Sequence, residues 1–251
     1  MFATGLGASI FGSMVGLGGG FITVPILLLA FGMRPGEAAG TSLALVVANS
    51  AAGATTYLLQ RRVHIRLGLL FAAGGFPGSI LGALAAARIS APIFDWLFAA
   101  FLIAVAGDMF VNRATRLTGR SANPGATPYG MHPVRALALG FGVGVVSSLF
   151  GIGGGVLVVP SLLYFSDLPA HMISATSHFA IVLTSPVGFA THWSQHDIRW
   201  AYVAPLVLGG ILGGPIGARL SLRLNQNALL VWVASALAIA ALALVARNFV
   251  Q

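Results

Sequence analysis

The sequence has no cysteine and no lysine. The first absence excludes disulfides, thioether attachment of haem and thiolate metal sites. The second leaves arginine as the only fixed side-chain cation: 13 arginines stand against five carboxylates, for a net charge of +8. Charge of either sign is scarce, at 7% of the chain, where a soluble domain carries about 25%. So few charges cannot coat a 251-residue globule against water, and 57% of the residues are hydrophobic. Lipid is the solvent that tolerates such a surface. The arginines lie between long apolar runs rather than clustered on a face, which argues against nucleic-acid binding. Flanking arginines instead set orientation and meet lipid headgroups. A membrane β-barrel would show alternating segments of about ten residues, and none alternates cleanly here. The start of the chain lacks the positively charged region of a cleavable signal, and its apolar run continues past signal length. The expected class is an all-α polytopic membrane protein.

A spanning helix needs about 20 apolar residues. Eight hydrophobic segments meet or approach that length: 1–31, 38–60, 67–87, 91–111, 136–165, 170–193, 201–218 and 227–245. The polar stretch 112–133 divides them into two groups of four. The expected organisation is a first transmembrane repeat over 1–111, a cytoplasmic linker over 112–133 and a second repeat over 134–251, together forming one transport unit. Asp95 and Asp108 sit near the two ends of their segment and read as interfacial.

The halves resemble each other. Residues 16–27 read GLGGGFITVPIL and residues 151–162 read GIGGGVLVVPSL, an offset of 135 (151 minus 16). The same offset pairs Thr41-Ser42 with Thr176-Ser177, Ser50 with Ser185, and Gly74, Gly78 and Gly82 with Gly209, Gly213 and Gly217. Internal repeats are common in secondary transporters, whose substrate sites lie between the repeats.

The glycine motifs lie inside apolar segments, without the strand, turn and later acidic residue that a dinucleotide fingerprint needs. Three adjacent glycines weaken a helix, and Pro25 and Pro160 each remove a helical hydrogen bond. The first segment of each half is therefore expected to be broken or re-entrant. Exposed backbone at that depth is tolerable only against protein or a water-filled cavity. A half-helix start presents N–H groups suited to an anion. On this reading Gly18, Gly19, Gly20, Gly153, Gly154 and Gly155 bind substrate; alternatively they serve only close helix packing. The glycines spaced by four, from Gly74 and Gly209 onward, read as helix contacts.

Length agrees with a break, because 32 residues of helix would be about 48 Å long against a hydrocarbon core of about 30 Å. Eight full spans would leave the halves parallel; two hairpins would leave three full spans per half and invert them. Arginine counts give nine against four either way, and both arrangements put residues 60–66 and 112–135 in the cytoplasm.

Thr41, Ser42, Thr176 and Ser177 could hydrogen-bond an anion's oxygens, or could tie helices together. His178 is the one imidazole well inside a segment, which makes it the candidate coupling residue for protons. No nucleophile–base pair, zinc signature or Walker sequence is present, so neither an enzyme nor a cofactor is expected.

With its paired motifs, the sequence resembles the sulfite exporter TauE/SafE family. The resemblance rests on Gly16-Leu17-Gly18-Gly19-Gly20 through Val24-Pro25, and on Gly151-Ile152-Gly153-Gly154-Gly155 through Val159-Pro160. Thr41-Ser42, Thr176-Ser177, and Arg66 and Arg199 before their glycine-rich segments extend it over residues 1–247. It implies a bacterial inner-membrane permease without an attached ATPase that moves sulfite, sulfonates or short carboxylates. Lipid, a small anion and a coupling proton are the expected partners. A passive channel for anions or small solutes is the alternative.

The orientation is testable, because the chain has no native cysteine. Single cysteines placed in 112–131 should react with an impermeant thiol reagent only from the cytoplasmic side. Preferential labelling from the periplasm would reverse the orientation.

Overall fold

The computed structural model describes residues 1–111, 131–221, 234–235 and 237–246, and every regular element among them is an α-helix. In chain order these are α1 (Phe2–Val15), α2 (Gly20–Ala30), α3 (Pro35–Leu59), α4 (Ile65–Ala86), α5 (Ala91–Val111), α6 (Pro133–Phe150), α7 (Gly155–Phe165), α8 (Ala170–Ser194), α9 (Trp200–Leu220) and α10 (Leu237–Ala246). Six of them (α3, α4, α5, α6, α8 and α9) are long and apolar enough to cross a membrane. The protein is thus an all-α polytopic membrane protein. Of the eight expected segments, 1–31 is cut into two short helices, and 136–165 is cut into α6, still long enough to span, and the short α7. The last segment is described only from 234 onward, and most of the linker, 112–130, lies outside the described residues.

The cuts fall at glycine for a conformational reason. Helix α1 closes with Gly16 in the left-handed region at φ 90°, its N–H donating to the Gly12 carbonyl. Gly18 and Gly19 follow, each at φ 85°, and α2 begins. Helix α6 closes in the same way at Gly151 (φ 70°), and Gly153 and Gly154 follow at 85° and 76°. A side chain strains such a backbone, and a β-branched one strains it most. Pro25 and Pro160 lie within α2 and α7 rather than at the cuts. Their role is confined to removing one hydrogen bond from each of these short helices.

Helices α3 and α8 run antiparallel through the centre. The backbone N–H of Arg199, just after α8, donates to Thr41 Oγ1 near the start of α3 at 3.0 Å. At the opposite end the N–H of His64, just after α3, donates to Thr176 Oγ1 near the start of α8, also at 3.0 Å. These ties define an Arg199 end and a His64 end of the bundle. Helix α1 starts at the Arg199 end, where Met1 and Tyr202 pack on the same cluster of Ala8, Leu45 and Leu206. Helix α2 returns there, because Phe31 meets the Tyr202 ring edge-on with centroids 5.4 Å apart. Helix α6 starts at the His64 end alongside α4. After α7 the chain re-emerges at that same end, where the His171 carbonyl accepts from Arg62 Nη2 at 2.8 Å.

Between lipid-facing helices there is no hydrophobic drive to associate, so packing depends on close approach. Glycine supplies it. Cβ atoms built on Gly74, Gly78 and Gly82 of α4 would collide with the carbonyl oxygens of Leu137, Phe141 and Val145 of α6. Gly213 and Gly217 of α9 meet Leu6 and Ile10 of α1 in the same manner. Each fourth helix therefore packs parallel to the first helix of the other group. Around this frame α5 lays Phe98 and Phe101 against Phe150 at the end of α6, stacked at 4.9 and 5.4 Å. Asp95, expected at an interface, is buried in α5. Asp108 accepts a hydrogen bond from the Tyr164 hydroxyl at 2.6 Å.

These contacts leave no room for a methyl group. Gly78→Ala and Gly213→Ala should each lower unfolding stability by about 1–3 kcal/mol, the usual cost of overpacking. Gly7 and Gly142 face open space, so alanine there should be neutral, or stabilising by roughly 0.5–1 kcal/mol as a better helix former. Thermal unfolding of the four variants in detergent, compared with the parent protein, checks the contrast.

Candidate functional site

The two glycine turns meet at the centre of the bundle. A Cβ built on Gly20 would lie 2.5 Å from the Gly151 carbonyl oxygen and 2.7 Å from Ile152 Cα. One built on Gly155 would lie 2.5 Å from Leu17 Cα. Gly18 and Gly153 both approach the Val46 side chain, and Gly18 also lies beside Ile181. Val46 and Ile181 stand next to the midpoints of α3 and α8, so the turns interlock at mid-depth. The flanks of the two tips match as well: Gly16 abuts Ser174 Cα, and Gly151 abuts Ala39 Cα. The backbone contacts of Gly16 and Gly20 recur 135 residues on, at Gly151 and Gly155.

The sequence thereby brings six of its expected site residues together: Gly18, Gly19 and Gly20 from one turn, Gly153, Gly154 and Gly155 from the other. Helices α2 and α7 start here. Their N-caps, Gly19 and Gly154, have no side chain that could accept from the first amides, and among the described residues no other side chain caps them. Two helix starts of this kind carry partial positive charge and N–H groups suited to an oxyanion.

The hydroxyl residues separate into two groups. Thr41 and Thr176 engage the chain beyond α8 and α3, as described above, and so join the ends of the bundle. Ser177 Oγ donates to the Gly16 carbonyl at 2.8 Å, at the edge of the first turn. Ser42 is its counterpart by the repeat offset and is fully buried, yet its Oγ has no hydrogen-bond partner. It is the expected site hydroxyl whose bonding capacity is unused.

His178 is fully buried and belongs to a polar thread. Its Nε2 lies 3.1 Å from Ser13 Oγ; Ser13 donates to Asn49 Oδ1 at 2.9 Å, and Asn49 Nδ2 donates to the Gly18 carbonyl at 3.0 Å. The Tyr57 hydroxyl donates to the Ser13 carbonyl at 2.6 Å, and its ring meets His178 edge-on. The thread holds the first glycine turn from three helices. Sequence reasoning missed the parts played by Ser13 and Tyr57. The available signal was spacing: Asn49, Gly53 and Tyr57 recur every four residues on α3, so they share one face. The small Gly53 gives His178 room, since a Cβ there would come within 2.9 Å of the imidazole.

The ends of the bundle are charged differently. At the Arg199 end, buried Glu37 bonds Arg34 at 2.7 Å and pairs with Arg199 Nε at 3.0 Å. The side-chain hydrogen bond to Glu37 raises the Arg34 guanidinium above its ordinary pKa. At the His64 end, Arg62 lies over the Tyr57 ring, 5.1 Å from its centroid, and bonds Gln60, Ser221 and the His171 carbonyl. Burial lowers the Arg62 pKa, partly opposed by Tyr57. Among the described residues no group of three or more His, Cys, Asp or Glu could hold a metal ion.

Comparison with known proteins agrees with this architecture. Residues 1–244 match the family described as "Sulfite exporter TauE/SafE". "Probable membrane transporter protein YunE" of Bacillus subtilis is 30% identical over 244 residues, covering 90% of this chain and 89% of that protein. A "Probable membrane transporter protein" of Xylella fastidiosa is 29% identical over 221 residues, covering 85% and 81%. A relative in Methanocaldococcus jannaschii is 27% identical over 241 residues, covering 90% and 86%. No solved structure matches the chain.

Valine at the two N-caps tests the turns. At Gly19 a Cβ would lie 2.8 Å from the Ala8 carbonyl oxygen, and at Gly154 it would lie 3.0 Å from Val143 Cγ1. Both positions have positive φ. Gly19→Val and Gly154→Val should each abolish transport at equal membrane abundance, with substrate binding lost in parallel. Flux and binding like the parent protein's in both variants would remove the glycine turns from the site.

Proposed function

Because the chain belongs to the sulfite exporter TauE/SafE family, we propose that it is a secondary transporter of small sulfur-containing or organic anions: sulfite, sulfonates or short carboxylates. The observation that carries this reading is the meeting of two helix starts, both without side-chain caps, at the midpoints of α3 and α8. An oxyanion at this position would take N–H bonds from the turns around Gly18 to Gly20 and Gly153 to Gly155. Ser42 would add its hydroxyl, Ser177 would support the first turn, and Thr41 and Thr176 would fix the ends of the two helices that frame the site. His178 would act through Ser13 and Asn49 to hold the first turn in place.

The return of each hairpin to its own starting end supports two re-entrant hairpins and three full spans per half. The halves are then inverted repeats, and the site lies between them. Alternating access would follow from rocking one pair of packed units against the other. The two contact blocks, α1 with α9 and α4 with α6, are natural rigid units for that motion. Among the described residues, Arg61, Arg62, Arg66, Arg135 and Arg219 stand at the His64 end, against Arg34, Arg88 and Arg199 at the other. This supports a cytoplasmic His64 end in a bacterial inner membrane. The family description favours export as the direction.

Reconstituted flux is the test. Proteoliposomes should take up labelled sulfite, a sulfonate or a short carboxylate with saturable kinetics, and an imposed gradient of one anion should drive countertransport of another. Flux proportional to concentration without countertransport would identify a channel instead.

A further inference from the structure

The Arg199 end holds a second histidine with an arrangement unlike that of His178. His192, near the end of α8, is fully buried. Its Nε2 lies 2.9 Å from the Ser148 carbonyl oxygen. A carbonyl only accepts, so Nε2 must carry the hydrogen, and the neutral ring then has its lone pair on Nδ1. Nδ1 faces Asp197 Oδ2 at 3.7 Å. Both Nδ1 and Oδ2 are buried and neither has a hydrogen-bond donor. Two acceptors therefore confront each other out of contact with water, and a single proton between them would satisfy both.

The surroundings hold this pair in place. A Cβ on Gly36 would lie 2.6 Å from Asp197 Oδ2, and one on Gly40 would lie 3.0 Å from His192 Cβ. The charged groups nearby are Glu37, engaged by Arg34 and Arg199, and the two arginines themselves. His196 is exposed in the same turn. No other cation is bonded to Asp197 among the described residues.

Comparison between the halves sharpens the case. By the repeat offset, His192 corresponds to Tyr57 and Ser148 to Ser13. Tyr57 caps the Ser13 carbonyl through its hydroxyl, as His192 caps the Ser148 carbonyl through Nε2. Capping alone thus does not require an imidazole. The imidazole adds a second nitrogen, and it faces a carboxylate at the position where the other half has Arg62. One end of the frame carries a fixed cation, and the other a site that one proton can fill or leave.

We propose that His192 and Asp197 form the proton-binding site that couples transport to the proton gradient, loaded from the Arg199 end. Loading forms one N–H bond at His192 Nδ1, with the proton taken from the aqueous phase and the imidazolium paired with the Asp197 carboxylate. Release breaks that same bond. The signal reaches the substrate turn through Ser148, whose carbonyl is among the last four of α6, three residues before Gly151. Protonation makes Nε2–H a charge-assisted donor to that carbonyl, tightening the end of α6 where the turn begins. The coupling role rests on the transporter reading; the proton site does not.

Two measurements test it. The first is ¹⁵N-histidine NMR of the full chain in nanodiscs, with the His192 signal identified by its loss in His192→Gln. The ring should be the Nε2–H tautomer at high pH and gain its second proton at Nδ1 as the pH is lowered. Asp197→Asn is isosteric, and its amide can donate to Nδ1, so in that variant the ring should stay neutral under conditions where the parent ring is protonated, while the fold persists. A ring carrying hydrogen on Nδ1 when neutral, or one whose titration is unchanged in Asp197→Asn, overturns the proton site. The second measurement is sulfite flux in proteoliposomes. Asp197→Asn should retain sulfite exchange and lose accumulation driven by a pH gradient, whereas His178→Gln should reduce both together. Gradient-driven accumulation by Asp197→Asn at the parent level overturns the coupling role. If the parent protein exchanges no sulfite, the substrate assignment fails, and the NMR titration still decides the proton site.

Discussion

Interrupting a helix within lipid leaves N–H and C=O groups without partners, at several kcal/mol for each group left unsatisfied. Much of this protein's polar chemistry answers that cost at two interruptions. The Ser13 carbonyl is capped by Tyr57, the Gly16 carbonyl by Ser177, the Gly18 carbonyl by Asn49 and the Ser148 carbonyl by His192. These donors come from α3 and α8, the two helices that cross the centre. The carbonyl side of each break is therefore attended by neighbouring side chains. On the amide side, by contrast, the N-caps of α2 and α7 are glycines. That asymmetry leaves positive potential facing inward and gives an anion a reason to bind.

Close packing follows from the same demand. The two turns can shield each other only if their backbones touch, and Gly16, Gly20, Gly151 and Gly155 permit this. To hold the hairpins at that depth, α1 and α6 are gripped along their length by α9 and α4 through glycines that place backbone against backbone. Gly18, Gly19, Gly153 and Gly154 are required by dihedral angle, whereas Gly20, Gly155 and the packing glycines of α4 and α9 are required by distance. The sequence contains both kinds, and the difference between them is mechanistic.

Several features were legible before any coordinates. Charge scarcity identified the solvent, the doubled GxGGG motif located the breaks, and the four-residue glycine spacing marked the packed faces. What was not legible depended on long-range pairing. Thr41 and Thr176 look from sequence like residues of a substrate shell, and only the antiparallel crossing of α3 and α8 reveals that their hydroxyls meet the backbone at Arg199 and His64. His192 sits at a segment end, where an imidazole ordinarily meets water. Its burial depends on Gly40 and α6 closing over it, which no periodicity in α8 announces. Gly78 reads as a helix contact, but its spacing does not say that the surface against it is the Phe141 carbonyl.

The parallel pairing of α1 with α9 has a consequence for biogenesis. Helix α1 leaves the ribosome before α9, with α2 to α8 made between them. Until α9 arrives, the first hairpin has neither the glycine face that grips it nor the second turn that covers its broken backbone. It is too short to span and too polar at its tip to rest alone in hydrocarbon. The insertion machinery must therefore keep this segment in a sheltered or shallow position while α3 to α8 are made. Topology is completed from the C-terminal side, and a ribosome stalled before α9 would leave an unassembled hairpin exposed to membrane quality control.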